Sequence, residues 1–247
     1  MILLLILMGI IELVLLLLFL LVFSYFSHKK KLLNFEGILI ANAVGLAAIT
    51  YGPNPTLCFL AVVLFFVIGE IASNYPKKKH ETRNIWNVVG NSLPALIVLS
   101  LIVPYSEYGI ILQLGFFGAI SAALADTLSS EIGYYSKKKP RLITNFKKVV
   151  RGTDGGVTRL GELAGLLGSF IIAGLYLLFM LFFQIEISPL TAGLHFLILI
   201  GAGMIGTNVD SFMGAQFEIK KILNNTHVNL IGSGAGAIFA LLLALLL

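Results

Sequence analysis

The chain is written as a succession of apolar runs long enough to cross a bilayer. A helix needs about 20 mostly apolar residues to span about 30 Å of hydrocarbon. Windows of that kind lie near 2–26, 35–51, 56–73, 86–104, 108–125, 161–184, 190–208 and 229–247. Inside lipid every backbone N–H and C=O must find a partner within its own structure, so such runs fold as helices. With 58% hydrophobic and 12% charged residues over 247 positions, too little polar surface remains to keep a soluble domain of this size wet. The expectation is an all-α integral membrane protein, a single polytopic domain over 1–247 with about eight transmembrane helices in one bundle.

The first run, Ile2 to Phe26, is too long for a signal-peptide core, lacks a basic leader and ends without a small-residue cleavage site. It reads as a retained span. Glu12 in its middle reads as a carboxyl facing the bundle and bonded to a neighbour, with a proton site as the alternative. The single cysteine, Cys58, leaves no intrachain disulfide or cysteine metal site.

Charge then orients the bundle. Lys29, Lys30 and Lys31 follow span one, and Lys77, Lys78, Lys79 and Arg83 follow span three. The long basic loop 126–160 carries Lys137, Lys138, Lys139, Arg141, Lys147, Lys148, Arg151 and Arg159, and the seventh loop has Lys220 and Lys221. Together these are all 17 Lys and Arg of the chain; the even-numbered loops hold only Glu107 and Glu186. Positive loops stay inside, so loops one, three, five and seven are placed in the cytoplasm and both termini outside. The three KKK runs act as topology signals and contacts for anionic lipid.

Two carboxylates sit where this topology puts the cytoplasmic boundary. Asp126 comes about 19 residues into span five and Asp210 about 20 into span seven, each having crossed roughly 30 Å. Each is followed by a hydroxyl residue, Thr127 or Ser211. Mg²⁺ takes one or two carboxylates, with hydroxyls, waters and phosphate oxygens completing its shell. Carboxylates at span ends can also be solvated or paired with lysines; two matching Asp-hydroxyl pairs on one face favour a site. Glu131 lies five residues after Asp126, about 140° round an ideal helix, so the two share no face unless the helix ends between them. GAISAALADTLSSE (118–131) and GAGMIGTNVDSFMGAQFE (201–218) echo each other, through shared span-end composition or duplication.

RGTDGGVTRLGE (151–162) is the second candidate. Gly152, Gly155 and Gly156 let backbone N–H groups turn toward an anion, with Thr153, Thr158, Arg151 and Lys148 in support. The N-terminus of span six would aim its positive dipole end at bound phosphate. No Walker motif is present. GSGAGA (232–237) and GELAGLLG (161–168) fall in apolar helices, where small residues let helices approach closely. Asn91, Asn208, Asn224, Asn225 and Asn229 gather at cytoplasmic span ends, as caps or as polar ligands. His195, alone in mid-span, reads as a satisfied core residue.

In this order the motifs resemble the transmembrane protein 19 family, which includes the plant phytyl-phosphate kinase of vitamin E biosynthesis. ADTLSSEIG (125–133) is similar to that family's A-D-T-x-x-S-E-x-G, with Leu128 in place of a frequent Trp. KPRLIT (139–144), GTDGGVT (152–158), DSFMGA (210–215) and NNTHVN (224–229) follow in family order. Arg151 stands where the family often has Pro, and Gln216 and Glu218 where it has Thr and Gln.

The resemblance implies a membrane-embedded kinase. It would transfer a phosphoryl group from a nucleoside triphosphate, CTP favoured, to a prenyl monophosphate of the phytyl or geranylgeranyl type. Asp126, Glu131 and Asp210 would hold Mg²⁺. Asn91, Arg141, Thr144, Lys148, Arg151, Gly152, Thr153, Gly155, Gly156, Thr158, Ser211, Asn225 and Asn229 would bind nucleotide and phosphates. The partners expected are the prenyl phosphate, the nucleotide and the lipid bilayer, with no nucleic acid; the oligomeric state stays open. The alternatives are a transporter of an anionic solute and a lipid-linked phosphotransferase releasing pyrophosphate.

Overall fold

The computed structural model describes residues 2–73, 85–183 and 188–247, with the side chains of 2–9 and of Glu12 excepted. The readings on Glu12, Lys77, Lys78, Lys79, Arg83 and Glu186 therefore fall outside the described residues. Eight α-helices follow one another among the described residues: α1 (Ile2–Lys30), α2 (Phe35–Tyr51), α3 (Pro55–Ser73), α4 (Ile85–Ile102), α5 (Gly109–Gly133), α6 (Arg159–Phe182), α7 (Pro189–Met213) and α8 (Asn225–Ala244). Among the described residues seven helical stretches reach 18 residues or more and are apolar enough to cross a membrane. At 17 residues α2 stands at the lower limit of a span.

The protein is not purely helical. Between α5 and α6, two-residue strands β1 (Arg141–Leu142) and β2 (Gly156–Val157) pair antiparallel, with Arg141 opposite Val157. The basic loop is thereby folded into a hairpin against the bundle. A π turn over Gly214–Glu218 prolongs α7.

Helix starts are written locally. Asn34, Thr158, Ser188 and Asn224 each accept a hydrogen bond from the backbone N–H three residues on, answering one of the orphan donors of the first turn. In α4 the ring of Pro94 cannot donate to the Gly90 carbonyl. The Ser233 hydroxyl of α8 lies 3.3 Å from that carbonyl, but its shortest acceptor is the Asn229 carbonyl of its own helix at 2.7 Å.

α5 is the axle of the bundle and packs against α3, α4, α6, α7 and α8. Its seams are lined with small residues. A Cβ on Gly118 would meet Ala240 and the Gly236 carbonyl at 2.6 Å, and one on Gly168 would meet Ala125 at 3.1 Å. One on Gly232 would meet the Cβ of Asp210 at 2.9 Å. GSGAGA and GELAGLLG are therefore packing surfaces, as read. Without a hydrophobic drive between helices in lipid, such close approach supplies the contact energy. At the seam of α5 and α7 a Cβ on Gly206 would strike Ala122, a close approach one turn before the pair Asp126 and Asp210. By contrast α1 lies at the edge, packed chiefly on α2 with most of its apolar side chains exposed.

Candidate functional site

The apolar-window boundaries stop short of the real helices at one end of the bundle. α5 continues past 125 to Gly133, α7 past 208 to Met213, and α8 begins at Asn225 rather than 229. Polar residues there are inward-facing helical turns rather than loop. ADTLSSEIG is the last two turns of α5, and its Asp126 faces Asp210 of α7 within hydrogen-bonding reach. The two echoing segments are thus helices that meet at their carboxylates.

Around this pair opens a cavity of about 1040 Å³. α5 contributes Asp126, Ser129 and Ser130; α7 and its π turn contribute Asp210, Ser211 and Glu218; the loop from Arg151 to Thr158 forms the far wall; Asn225 begins α8 at the rim. Gly152 and Gly155 have φ of +81° and +70°, a region that costs a residue with a Cβ. At Gly155 a Cβ would also strike Ser211 and Ala215. The loop can seat on the end of α7 only because that position is glycine.

The acidic pair is supported from behind. Thr207 Oγ1 donates to Asp126 Oδ1 at 3.3 Å. With the Asn229 amide oriented by its hydrogen-bond network, its nitrogen donates to Asp210 Oδ2 at 3.2 Å and its oxygen accepts from Asn91 Nδ2 at 3.3 Å. Asn91 and Asn229 are therefore neighbours of the carboxylate pair, one on α4 and one on α8. Arg151 is tethered by a hydrogen bond from its guanidinium to the Ser136 carbonyl. Thr158 caps α6 through Gly161 N–H at 3.0 Å, so the start of that helix is held at the cavity wall.

Of the residues singled out from sequence, Asp126, Arg151, Gly152, Thr153, Gly155, Gly156, Thr158, Asp210, Ser211 and Asn225 line this one cavity. Arg141 and Lys148 do not. With Lys138, Lys139 and Arg159 they line an adjoining basic cavity of about 1860 Å³, which shares Val157 and Thr158 with the first. Glu131 and Thr144 line neither cavity. Thr127 turns away, its hydroxyl donating to the Ala123 carbonyl at 2.8 Å, so the hydroxyl beside Asp126 is that of Thr207. Adjacent residues on a helix point about 100° apart, whereas Thr207 stands one turn before Asp210 on the same face.

Two carboxylates escaped the sequence reading. Asp154 lies between the loop glycines and lines the cavity; Glu218 enters it from the π turn. In that turn Ile219 N–H reaches back five residues to the Gly214 carbonyl at 3.2 Å. The extra residue per turn returns Glu218 toward the face of Asp210. Asp154 carried a signal, an Asp inside a glycine turn, whereas the place of Glu218 depends on the π turn.

Four carboxylates thus converge on a cavity where Arg151 is the basic side chain among the described lining residues. Charges so placed repel unless a proton or cation lies among them. Among the described residues no group of three or more His, Cys, Asp or Glu has metal-holding geometry. The donor set still fits Mg²⁺, which is held by one or two carboxylates with waters and substrate phosphate oxygens rather than by an all-protein cage. It does not suit a soft metal, for the cavity offers only oxygen donors beside Arg151 and Asn225.

Fold and site together define a polytopic helical membrane protein with an acidic, glycine-walled cavity at one end of its bundle. The chain belongs to the integral membrane protein family DUF92, whose profile matches residues 18–237. It is 37% identical over 230 residues to an uncharacterized membrane protein of Methanocaldococcus jannaschii, covering 90% of each chain. It is 32% identical over 220 residues to the chloroplastic Protein VTE6 of Arabidopsis thaliana, covering 83% of this chain and 63% of that one. Protein PGR of the same plant is 29% identical over 226 residues, with 80% and 76% covered. These matches agree with the resemblance to the transmembrane protein 19 family. No solved structure matches the chain.

Proposed function

We propose that the protein is a prenyl-phosphate kinase. It transfers the terminal phosphoryl group of a nucleoside triphosphate, CTP favoured, to a prenyl monophosphate of the phytyl or geranylgeranyl type. The reading rests on one observation above all: Asp126 and Asp210 face each other beneath a glycine loop, at the end of an apolar bundle. A lipid phosphate carries its tail in hydrocarbon and its charge at the boundary, so a reaction on its head belongs at that depth. The family resemblance, with the plant phytyl-phosphate kinase among its members, supports the same chemistry.

Phosphoryl transfer asks the protein for positioning and charge neutralisation more than for covalent chemistry. Asp126 and Asp210 would hold Mg²⁺, which when bound would neutralise phosphate charge between donor and acceptor. Arg151, tethered to the Ser136 carbonyl, presents its guanidinium to phosphate oxygens without losing side-chain entropy at the moment of binding. Thr158 and the first turn of α6 offer N–H groups and a positive dipole end. The adjoining basic cavity, with Arg141 and Lys148, is suited to the remaining charge of a triphosphate. Closing these groups over two phosphate esters would exclude water, which otherwise competes as acceptor.

We place the cavity on the cytoplasmic face and both termini outside. In support, the basic end of α1, Lys220 and Lys221 beyond the π turn after α7, and the basic hairpin after α5 all follow helices that run toward the carboxylate end. In a Cys58→Ala background, an impermeant thiol reagent should label Glu107→Cys on intact cells and spare Lys138→Cys; the reverse pattern overturns the orientation. The function is tested with purified protein, Mg²⁺, and a panel of prenyl monophosphates against CTP, ATP, GTP and UTP. Diphosphate product in at least one combination is expected. None in any combination, from folded protein, refutes the kinase.

A further inference from the structure

A second, apolar cavity lies away from the carboxylates, lined by residues of α1, α2, α3 and α4 and by Ile120 of α5. Its walls are built from Phe23, Ala41, Gly45, Val63 and Phe66, and its polar groups are confined to Asn87, Asn91 and Ser92 of α4. Protein interiors are packed nearly as densely as organic crystals, with few voids larger than a water molecule. Apolar walls give water no partners, so the occupant is an apolar chain.

We infer that this cavity holds the isoprenoid tail of the lipid acceptor. The inference rests on the kinase reading for the identity of the head, and on the geometry for the place of the tail. The polar end of the cavity and the acidic site share a wall. Asn91 lines the cavity and its Nδ2 lies 3.3 Å from the Asn229 oxygen, while the same Asn229 donates to Asp210. On α5, Ile120 in the cavity precedes Asp126 by six residues, about 9 Å along the helix axis. A chain anchored by its phosphate at the carboxylates passes Asn91 and enters apolar space. Among its lining residues Leu20 and Phe59 are buried, and the Phe59 ring meets Phe19 edge to face with centroids 5.5 Å apart.

The test uses the full-length protein in phosphatidylcholine vesicles with a geranylgeranyl monophosphate carrying a diazirine at its tail end. Photolabel is expected on α1, α2 and α3 around Val63, and removed by excess unlabelled geranylgeranyl monophosphate. Ala41→Phe and Val63→Phe, which fill the space, should each cut labelling at least fivefold. The same variants should raise the KM for a C20 monophosphate at least tenfold while leaving the C5 value within twofold. Label on the lipid-facing sides of α6 and α7 overturns the proposal. So does cavity label that a diazirine-bearing phosphatidylcholine reproduces and the prenyl phosphate fails to compete, for then a bilayer chain fills it. The labelling on the unmutated protein stands even where a variant does not fold. It also separates the two readings: competed cavity label without diphosphate formation keeps the tail site and removes the kinase.

Discussion

Near the beginning of α5, Gln113 is fully buried, accepts a hydrogen bond from Asn54 at 3.3 Å and lies 4.0 Å from the Cys58 sulfur. One helical turn on, Phe117 meets the ring of Tyr176, whose hydroxyl lies 3.0 Å from His195 Nδ1. Near the end of the same helix, Asp126 faces Asp210 with Asp154 and Glu218 close by. Both clusters are polar islands in an apolar bundle, yet they are built to opposite rules. The first contains no carboxylate, and its members answer one another. The second brings like charges together beside open space and leaves them to be neutralised from outside. A closed polar network serves packing, whereas uncompensated carboxylates persist where something binds. By that rule we propose that His195 serves packing and that Asp126 and Asp210 serve binding.

The largest effect separating the two regions is expected from Asp126→Asn and Asp210→Asn. Each should lower turnover by about 10³-fold or more, since a lost metal ligand forfeits several kcal/mol of transition-state stabilisation. Melting temperature in detergent should hold or rise, because one repelling charge is gone. A variant keeping near wild-type turnover at saturating Mg²⁺ would remove that residue from the site.

Gly155→Ala comes next. The strained φ and the collision with Ser211 and Ala215 should displace the loop. A misplacement of about 1 Å costs about 10²-fold in rate. The readout is kcat with folding checked by melting, and a rate within twofold of wild type would detach the loop from catalysis.

Arg151→Ala should raise the KM for nucleotide or acceptor roughly 10- to 100-fold, with the deficit shrinking as salt rises. Arg151→Lys should recover only part of it, because an ammonium cannot make the paired contacts of a guanidinium. Full recovery by Lys would reduce Arg151 to a point charge.

Tyr176→Phe should have the smallest catalytic effect, leaving kcat and KM within about twofold. It deletes one interhelical hydrogen bond, worth on the order of 0.6–1.7 kcal/mol in membrane proteins. Stability measured by unfolding in mixed micelles should fall by that amount. A large loss of activity with intact folding would move the Tyr176–His195 pair into the mechanism and break the contrast.

How much of this could be read in advance follows from the physics of each region. Long apolar windows announced the helices, because lipid permits almost nothing else there. Those windows failed at the working end for the same reason. Asp126, Ser129 and Ser130 look like a boundary by hydropathy, yet they continue α5 because their polar side chains turn into a cavity. The glycine loop was legible because φ above zero needs glycine. Its mate on α7 was not, since the packing of Gly155 on Ala215 joins residues about 60 positions apart. Thr127 was paired with Asp126 by adjacency in sequence, whereas the helix geometry brings in Thr207 of α7, which no local pattern announces. Asp154 and Glu218 were not among the expected site residues, and the π turn that swings Glu218 inward has no clear mark in GAQFE.

The most direct test of the central claim follows a γ-³²P-labelled nucleoside triphosphate into lipid. The purified wild type, Asp126→Asn and Asp210→Asn are each given geranylgeranyl monophosphate, with Mg²⁺ and then with excess EDTA. The account predicts radiolabelled prenyl diphosphate from the wild type with Mg²⁺ alone, and background from both variants and from the chelated reaction. Equal label from wild type and both variants, or none from folded, Mg²⁺-replete wild type with any of the four nucleotides, would contradict it.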